Sequence, residues 1–583
     1  MKKGQEPPKQ LIPPTDEYEF DCDLEKHAHS ACAKGSFYKE HKGKRYCVLH
    51  YPSADKREHF EIEVKGKIES NDFNFEGVWF PSGSWFGGVE IAVPGNFRRA
   101  FFSDGAYFRK AVFKDDVTFE GGVFTGRAGF DETTFAKKVD FSSVTFRGNA
   151  SFRNAVFKGL AKFWRCTFEG DAEFNYADFH NVASFWPGIF KSRASFSNAS
   201  FVRALFGGAE FGSEAVFSWC AFGQAEFFGA YFDGNVDFLS AKFDGLANFA
   251  GTRFSKATKF RFAEFSGEAR FISAAFSGDN DFGHVVFKES VGFSAEYGTG
   301  GFGEGTSFDF RRARFDTPKR VSFHSVTLRP HWFVNVDARE FQFVDVRWFD
   351  NLNGKNISTE LSELRSREER EQEEAAKKRA ERMVSAKLYN DEFEIERLKR
   401  EEAEESSGAT GRPENKTRYN RLLSITCRQL AVNAEENHRY EEASKFRYWA
   451  MDTRRLERWK GLAFWRLGWW YWLASGYGER IMRAFIMLVV VWLVFAAMYT
   501  QISFARPPVA LAGEGMKEWE RRSALEPDDP SQALTYSLRV MTLQKPEPVP
   551  ETTEAQVLVT LETILGPLQV ALLALAIRRK FMR

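Results

Sequence analysis

Residues 161–201 read AKFWRCTFEGDAEFNYADFHNVASFWPGIFKSRASFSNASF. Phe falls at Phe163, Phe168, Phe174, Phe179, Phe185, Phe190, Phe196 and Phe201, in steps that alternate between five and six residues. Neither the helix period of about 3.6 residues nor the strand period of about 2 produces that beat. A fixed self-similar spacing marks a solenoid, in which one structural slot is reused along the chain. The residue two places before the Phe is small. Ala172, Ala177, Ala183, Ala194 and Ala199 hold that place here, and Ala209, Ala225, Ala241, Ala247, Ala269 and Ala274 hold it further on. Short extended faces joined by tight turns point both residues inward, a bulky one to fill the bore and a small one to fit the corner. The beat runs from about Phe108 to Phe293 and frays toward FQFVDVRWF at 341–349.

This segment, roughly residues 72–350, resembles the pentapeptide-repeat proteins. The resemblance implies a right-handed quadrilateral β-helix with a Phe ladder inside. With coils of about 22 residues the segment holds about a dozen, and at ~4.8 Å per coil the rod is ~60 Å long. Such a stack has flat faces and no obvious cleft, so its expected role is that of a spacer, a scaffold or a docking surface for a protein partner. Some pentapeptide-repeat proteins imitate DNA, which requires a dominantly acidic outer face. Here Arg109, Lys110, Lys114, Lys137, Lys138, Lys158, Lys162, Arg193, Lys256, Lys259, Arg261 and Arg311 interrupt the outward positions, which argues against mimicry.

The chain of 583 residues is too long for one hydrophobic core. Its 81 Lys and Arg against 80 Asp and Glu argue against nucleic-acid binding by bulk charge. Phe, at 63 copies, is the compositional outlier that the ladder accounts for. No Gly-rich phosphate loop, nucleophile elbow or helical His-Glu metal motif occurs, so no enzymatic activity is expected. The start, MKKGQEPPKQLIPP, has no apolar core and does not read as a signal peptide, which places the bulk of the chain in the cytoplasm.

Residues 1–68 form a Cys/His-containing cap segment ahead of the solenoid at 69–350. Cys22, Cys32, Cys47 and His50 are candidate ligands of a structural zinc ion, with His27, His29 and His41 nearby. The Cys47-x-x-His50 spacing lets two ligands reach one metal, and a metal would help a segment with so few apolar residues to fold. The other reading is a plain cap with reduced thiols, needed in any case because an uncapped solenoid exposes strand edges.

Residues 351–414 read as a charged, solvated helix and a linker, SSGATGRPENK at 406–416, without a sustained coiled-coil seam. Residues 415–460 resemble a single tetratricopeptide-like helical hairpin, with Leu422, Leu423, Leu430 and Val432 on one face. Tyr440, Ala443, Phe446 and the stretch 448–451 make the other, with a turn at 433–437. One such unit cannot bury its face alone.

An aromatic, basic helix at 461–479 suits a membrane interface. The runs 480–504 and 555–578 are long enough to span a bilayer, with an extracytoplasmic loop at 505–554 between them and a basic tail at 579–583. Basic residues on both outer flanks place both termini in the cytoplasm, hence a two-span protein of the cytoplasmic (inner) membrane. Gly476-Tyr477-Gly478 spells the tripeptide of a potassium filter but precedes the first span, so it reads as a bend into the membrane.

The last hundred residues resemble the pore helix, filter loop and inner helix of two-transmembrane potassium channels. Ala533-Leu534-Thr535-Tyr536-Ser537 matches the start of the pore helix, Thr542-Leu543 its end, and Gly566-Pro567 a hinge in the inner helix. The order of elements also resembles a prokaryotic family of pentapeptide-repeat, channel-like proteins. Where a filter needs Thr-x-Gly-Tyr-Gly, this chain has TLQKPEP at 542–548, so potassium selectivity is not implied. Thr542, Leu543, Gln544, Lys545, Glu562 and Gly566 are the pore-like candidates. Glu562 either faces the pore interior or lies close enough to the outer interface to be solvated. The expected fold is a β-solenoid joined through helices to a two-span domain with a pore-helix-like segment. The expected function is a channel-like homo-oligomer, a tetramer by analogy, or a membrane-anchored scaffold with a non-conducting pore.

Overall fold

The computed structural model describes residues 37–41, 43–81, 83, 85–295, 302, 306–348, 357–388, 396–397, 412–457, 467–502, 530–545 and 549–581. Two compact units divide the chain, one of residues 1–336 and 340–349, the other of 337–339 and 350–583.

The first unit is a β-solenoid of about 12 turns. Two ten-stranded parallel sheets and one twenty-stranded sheet carry all but four of its strands, most of them two residues long. Register is set by the repeat: Phe146 pairs with Phe168, Phe168 with Phe190, and Ala172 with Ala194. The ladder residues Phe163, Phe168, Phe174, Phe179, Phe185, Phe190, Phe196 and Phe201 are all buried. Each stacks on its counterpart one coil away; Phe174 lies 4.7 Å from Phe152 and 4.9 Å from Phe196, ring planes nearly parallel. Across the bore the rings meet edge to face, Phe174 against Phe163 and Phe185 at 5.4 and 5.3 Å. Both geometries suit the aromatic quadrupole. Ala172, Ala177, Ala183, Ala194 and Ala199 are buried beside them, and Val117, Val139, Val144 and Val285 are buried at the same place two residues before a Phe.

Where the small residue is polar, its hydrogen goes to the turn of the coil below. Thr133 donates to the Phe108 carbonyl at 2.7 Å, Thr252 to Phe227 at 2.7 Å, and the Cys166 thiol to Phe141 at 2.8 Å. Two coils are one residue short, since Ser200 pairs with Ala221 and Ala221 with Lys242. With that corner residue missing or the turn flattened, two faces merge into one longer strand, as in Asp178–Ser184, Ser200–Leu205 and Ala221–Glu226. Outside, acids and bases from adjacent coils pair: Lys137 with Asp115 at 2.8 Å, Lys191 with Glu169 at 2.8 Å, Arg193 with Glu214 at 2.9 Å. These exposed pairs add little stability, but they leave a surface of mixed sign.

The N-terminal end of the solenoid is covered by helix α1 (Arg57–Glu69). Phe60 and Val64 are buried, and the Phe60 ring meets Phe80 and Trp85 edge to face at 5.4 Å. Lys56 is buried with them; it donates to the Leu49 carbonyl at 2.6 Å while lying over Phe60. That capping role stands without reference to any metal.

The second unit contributes seven of the eight α-helices found among the described residues. Helix α2 (Ile357–Leu388) buries Leu361 and Leu364 at its start. Helices α3 (Arg412–Glu436) and α4 (Tyr440–Glu457) form the hairpin, with Leu423, Cys427, Leu430 and Ala434 buried on one side and Ala443, Phe446 and Ala450 on the other. Val432 and Tyr440, expected on the inner faces, point outward. The turn falls at 437–439, later than expected, because His438 takes a left-handed conformation and the Arg439 N–H closes on the Ala434 carbonyl at 2.7 Å. Helix α3 also begins inside the expected linker; Pro413 sits in its first turn, where no N–H is needed. The remaining helices are α5 (Leu467–Ser475), α6 (Ile481–Tyr499), α7 (Pro530–Met541) and α8 (Thr553–Phe581). Helices α6 and α8 are long and apolar enough to cross a membrane.

Candidate functional site

Helix α7 has 12 residues, about 18 Å of helix, too short to cross a bilayer. It packs against both α6 and α8 through a core of Phe495, Ala496, Tyr499, Ala533, Tyr536, Val540, Ala555 and Leu558. The Trp492 indole donates to the Leu534 carbonyl at 2.9 Å. Glu562 of α8 is fully buried and accepts from the Tyr499 hydroxyl at 2.7 Å and from the Ser537 hydroxyl. One carboxylate therefore joins all three helices. This separates Glu562 from the other pore-like candidates. Its partners are Tyr499 and Ser537 of its own chain, which neither sequence alternative named.

Thr542, Leu543, Gln544 and Lys545 are exposed. Leu543 adopts a left-handed conformation, the Gln544 N–H reaches the Arg539 carbonyl at 2.9 Å, and α7 ends there. The Thr542 hydroxyl turns back to the Leu538 carbonyl of its own helix at 2.8 Å. Pro546 and Pro548 lie outside the described residues. Gly566 faces the end of α7: a Cβ there would meet Met541 Cγ at 2.6 Å. Helix α8 continues through Pro567, so the Gly-Pro pair permits close packing without breaking the helix.

The SGYGER stretch is a second cluster. Gly476, Tyr477 and Gly478 all have positive φ and turn the chain from α5 into α6. The Tyr477 carbonyl accepts from the Tyr471 hydroxyl at 2.8 Å and from Arg579 at 2.9 Å. Burial pushes the Tyr477 phenol well above its usual range. Arg579, near the end of α8, also pairs with Glu479 at 3.2 Å, and Glu479 accepts from Ser444 of α4. Gln569 of α8 donates to the Ala474 and Ala484 carbonyls at 2.8 Å each. The hairpin thus packs on the foot of the apolar helices: Arg455 and Arg483 lie over the Trp472 ring at 4.0 and 4.7 Å. Sequence reasoning missed Tyr499 and Gln569, and it gave Ser537 only a place in the pore-helix match and Arg579 only one in the basic tail. The one available signal was a polar residue inside an apolar run, which Gln569 satisfies.

Of the zinc candidates, Cys22 and Cys32 lie outside the described residues. Cys47 and His50 are buried together, Sγ to Nδ1 at 3.2 Å. His50 Nε2 lies 3.0 Å from the Glu76 carbonyl, an acceptor that puts the ring hydrogen on Nε2 and leaves the Nδ1 lone pair toward the thiol. Such a carbonyl is a common second partner of a metal-bound imidazole. Among the described residues no group of three metal-ligating side chains occurs.

A family model described as pentapeptide repeats (9 copies) matches residues 119–167 and, in an overlapping frame, 130–178. No curated protein and no solved structure matches the chain. Residues 119–178 of the solenoid therefore match the pentapeptide repeat.

Proposed function

We propose that the protein is a membrane-anchored solenoid whose C-terminal helices form one wall of a channel-like homo-oligomer. The observation that carries the reading is α7, a helix too short to span, held between two apolar helices by the buried Glu562 carboxylate. That is the arrangement a pore helix requires. The exposed apolar side chains of α6 and α8, such as Phe485, Val490, Leu493, Leu561 and Leu568, need lipid or other copies to cover them. In this reading α6 and α8 cross the cytoplasmic membrane, both termini are cytoplasmic, α7 is the pore helix, and four copies surround the pore. The right-handed solenoid regulates the pore or docks a protein partner. Structural zinc on Cys22, Cys32, Cys47 and His50 belongs to the same proposal.

A second reading, a tethered scaffold with a non-conducting pore, draws on the 542–545 segment. It has no Gly, ends α7 with a left-handed Leu543 and carries Lys545 where cations would queue. Single-channel recording of the full chain in planar bilayers separates the two. The channel reading expects currents that do not discriminate potassium and that change in amplitude in Lys545→Gly. An inserted oligomer that passes no current as wild type, Lys545→Gly or Glu562→Gln establishes the scaffold.

A further inference from the structure

A cavity of about 600 Å³ opens at the start of α6, between that helix and α5. Its walls are of two kinds. Met482, Ile486 and Met487 give it an apolar side, and Met482 and Ile486 are 68 and 53 % exposed. Arg480 and Arg483 give it a cationic side, one helical turn apart. The Arg480 guanidinium lies over Tyr448 at 4.5 Å and that of Arg483 over Trp472 at 4.7 Å. Stacking uses the flat face of a guanidinium and keeps its in-plane N–H groups for an acceptor. Arg483 directs one of these to the Trp472 carbonyl at 3.3 Å.

Glu479 is the cavity's one carboxylate among the described residues, and its charge is already met by Arg579 at 3.2 Å and by the Ser444 hydroxyl. Two cations therefore border the cavity with no carboxylate on either among the described residues. A soluble anion would satisfy the arginines but not the exposed methionine and isoleucine side chains. An uncharged lipid would do the reverse.

We propose that this cavity holds an anionic phospholipid, its phosphate between Arg480 and Arg483 and its acyl chains along Met482, Ile486 and Met487. The inference rests on the reading that α6 spans the membrane with its start on the cytoplasmic side. Trp472 then lies at headgroup depth, where tryptophan is favoured. The bound lipid would brace the α5–α6 turn, on which α4 and the end of α8 also converge.

The test is native mass spectrometry of the full chain in detergent, offered phosphatidylglycerol or phosphatidylcholine at equal concentration. Phosphatidylglycerol is expected to be retained in preference. An arginine near an anionic surface is worth about a fivefold gain in affinity, so Arg480→Gln with Arg483→Gln should weaken retention roughly 25-fold. The paired Lys substitutions should keep most of it, which controls for loss of fold. Equal retention of the two lipids by wild type, or equal phosphatidylglycerol on wild type and the Gln variant, overturns the site. Displacement of the lipid by excess inorganic phosphate assigns the arginines to a soluble anion instead, and a Gln variant that alters subunit count but not lipid count makes the cavity an interface between copies. Alkaline carbonate extraction separates the membrane span from the lipid site. Release of wild type from membranes refutes the span and the lipid together, whereas an integral chain without lipid preference refutes the lipid alone.

Discussion

At one corner of the solenoid every coil needs a residue with positive φ, and the side chains found there are unequal to the task. Asn154 and Asn198 suit it, since Asn visits the left-handed region readily, whereas Tyr176, Trp219 and Phe262 hold the same conformation with bulky side chains. Those three aromatics are 60, 62 and 51 % exposed, and of them Phe262 stacks on His284 of the next coil at 4.8 Å. Trp219→Asn is expected to leave thermal unfolding of a 1–349 fragment unchanged or to stabilise it by about 0.5–1 kcal/mol, part of the left-handed penalty. A loss of more than that would show that Trp219 packs.

Cys166 and Cys220 are the opposite case. Burial drives both thiols far above their usual range, and both donate to carbonyls of the coil below. Neither should react with iodoacetamide at pH 8 until the rod unfolds, which peptide mapping would check. The Phe ladder was legible because its period is a property of the chain alone. The corner was not, because φ depends on which residue of each loop meets the turn, and one aromatic letter looks like another.

At the scale of the element, each rung is supported from both sides. Phe174→Ala leaves a cavity between two stacked rings and should cost roughly 3–5 kcal/mol in denaturant unfolding of the same fragment. In the helical unit, Glu562→Ala removes the acceptor of two hydroxyls. It should destabilise α7 against α6 and α8 by about 1–3 kcal/mol, the cost of leaving a buried hydroxyl without its acceptor. Urea titration in mixed micelles would measure that loss, and an unchanged midpoint would mean that apolar packing alone holds α7. Composition and length made both apolar helices legible. Their internal polar clamp was not, because Tyr499, Ser537 and Glu562 are brought together only by tertiary packing. In the hairpin segment the turn lies at 437–439 rather than at the expected 433–437, since a left-handed His438 carries no sequence signature of the kind Gly gives. For the cap, about one zinc per chain is expected by elemental analysis of a fragment spanning residues 1–120, falling in Cys47→Ser. A metal-free, folded fragment indifferent to chelator leaves the capping role of α1 alone.

For the whole molecule, the proposed two-span arrangement is the claim to test, and helices α6 and α8 are long and apolar enough for it. The sequence carries two apolar runs with basic outer flanks, from which both termini are expected on the cytoplasmic side. Packing adds that the SGYGER turn ties α4, α5, α6 and α8 together, which a filter sequence in a pore could not do. The most direct measurement is sided labelling with a membrane-impermeant maleimide, in a chain whose six native Cys are replaced. Leu543→Cys, 65 % exposed at the end of α7, should be labelled from outside intact spheroplasts. Phe37→Cys, 49 % exposed beside the solenoid cap, should be labelled only after the membrane is opened. Labelling of both positions from the same side would contradict the two-span arrangement and the pore built on it.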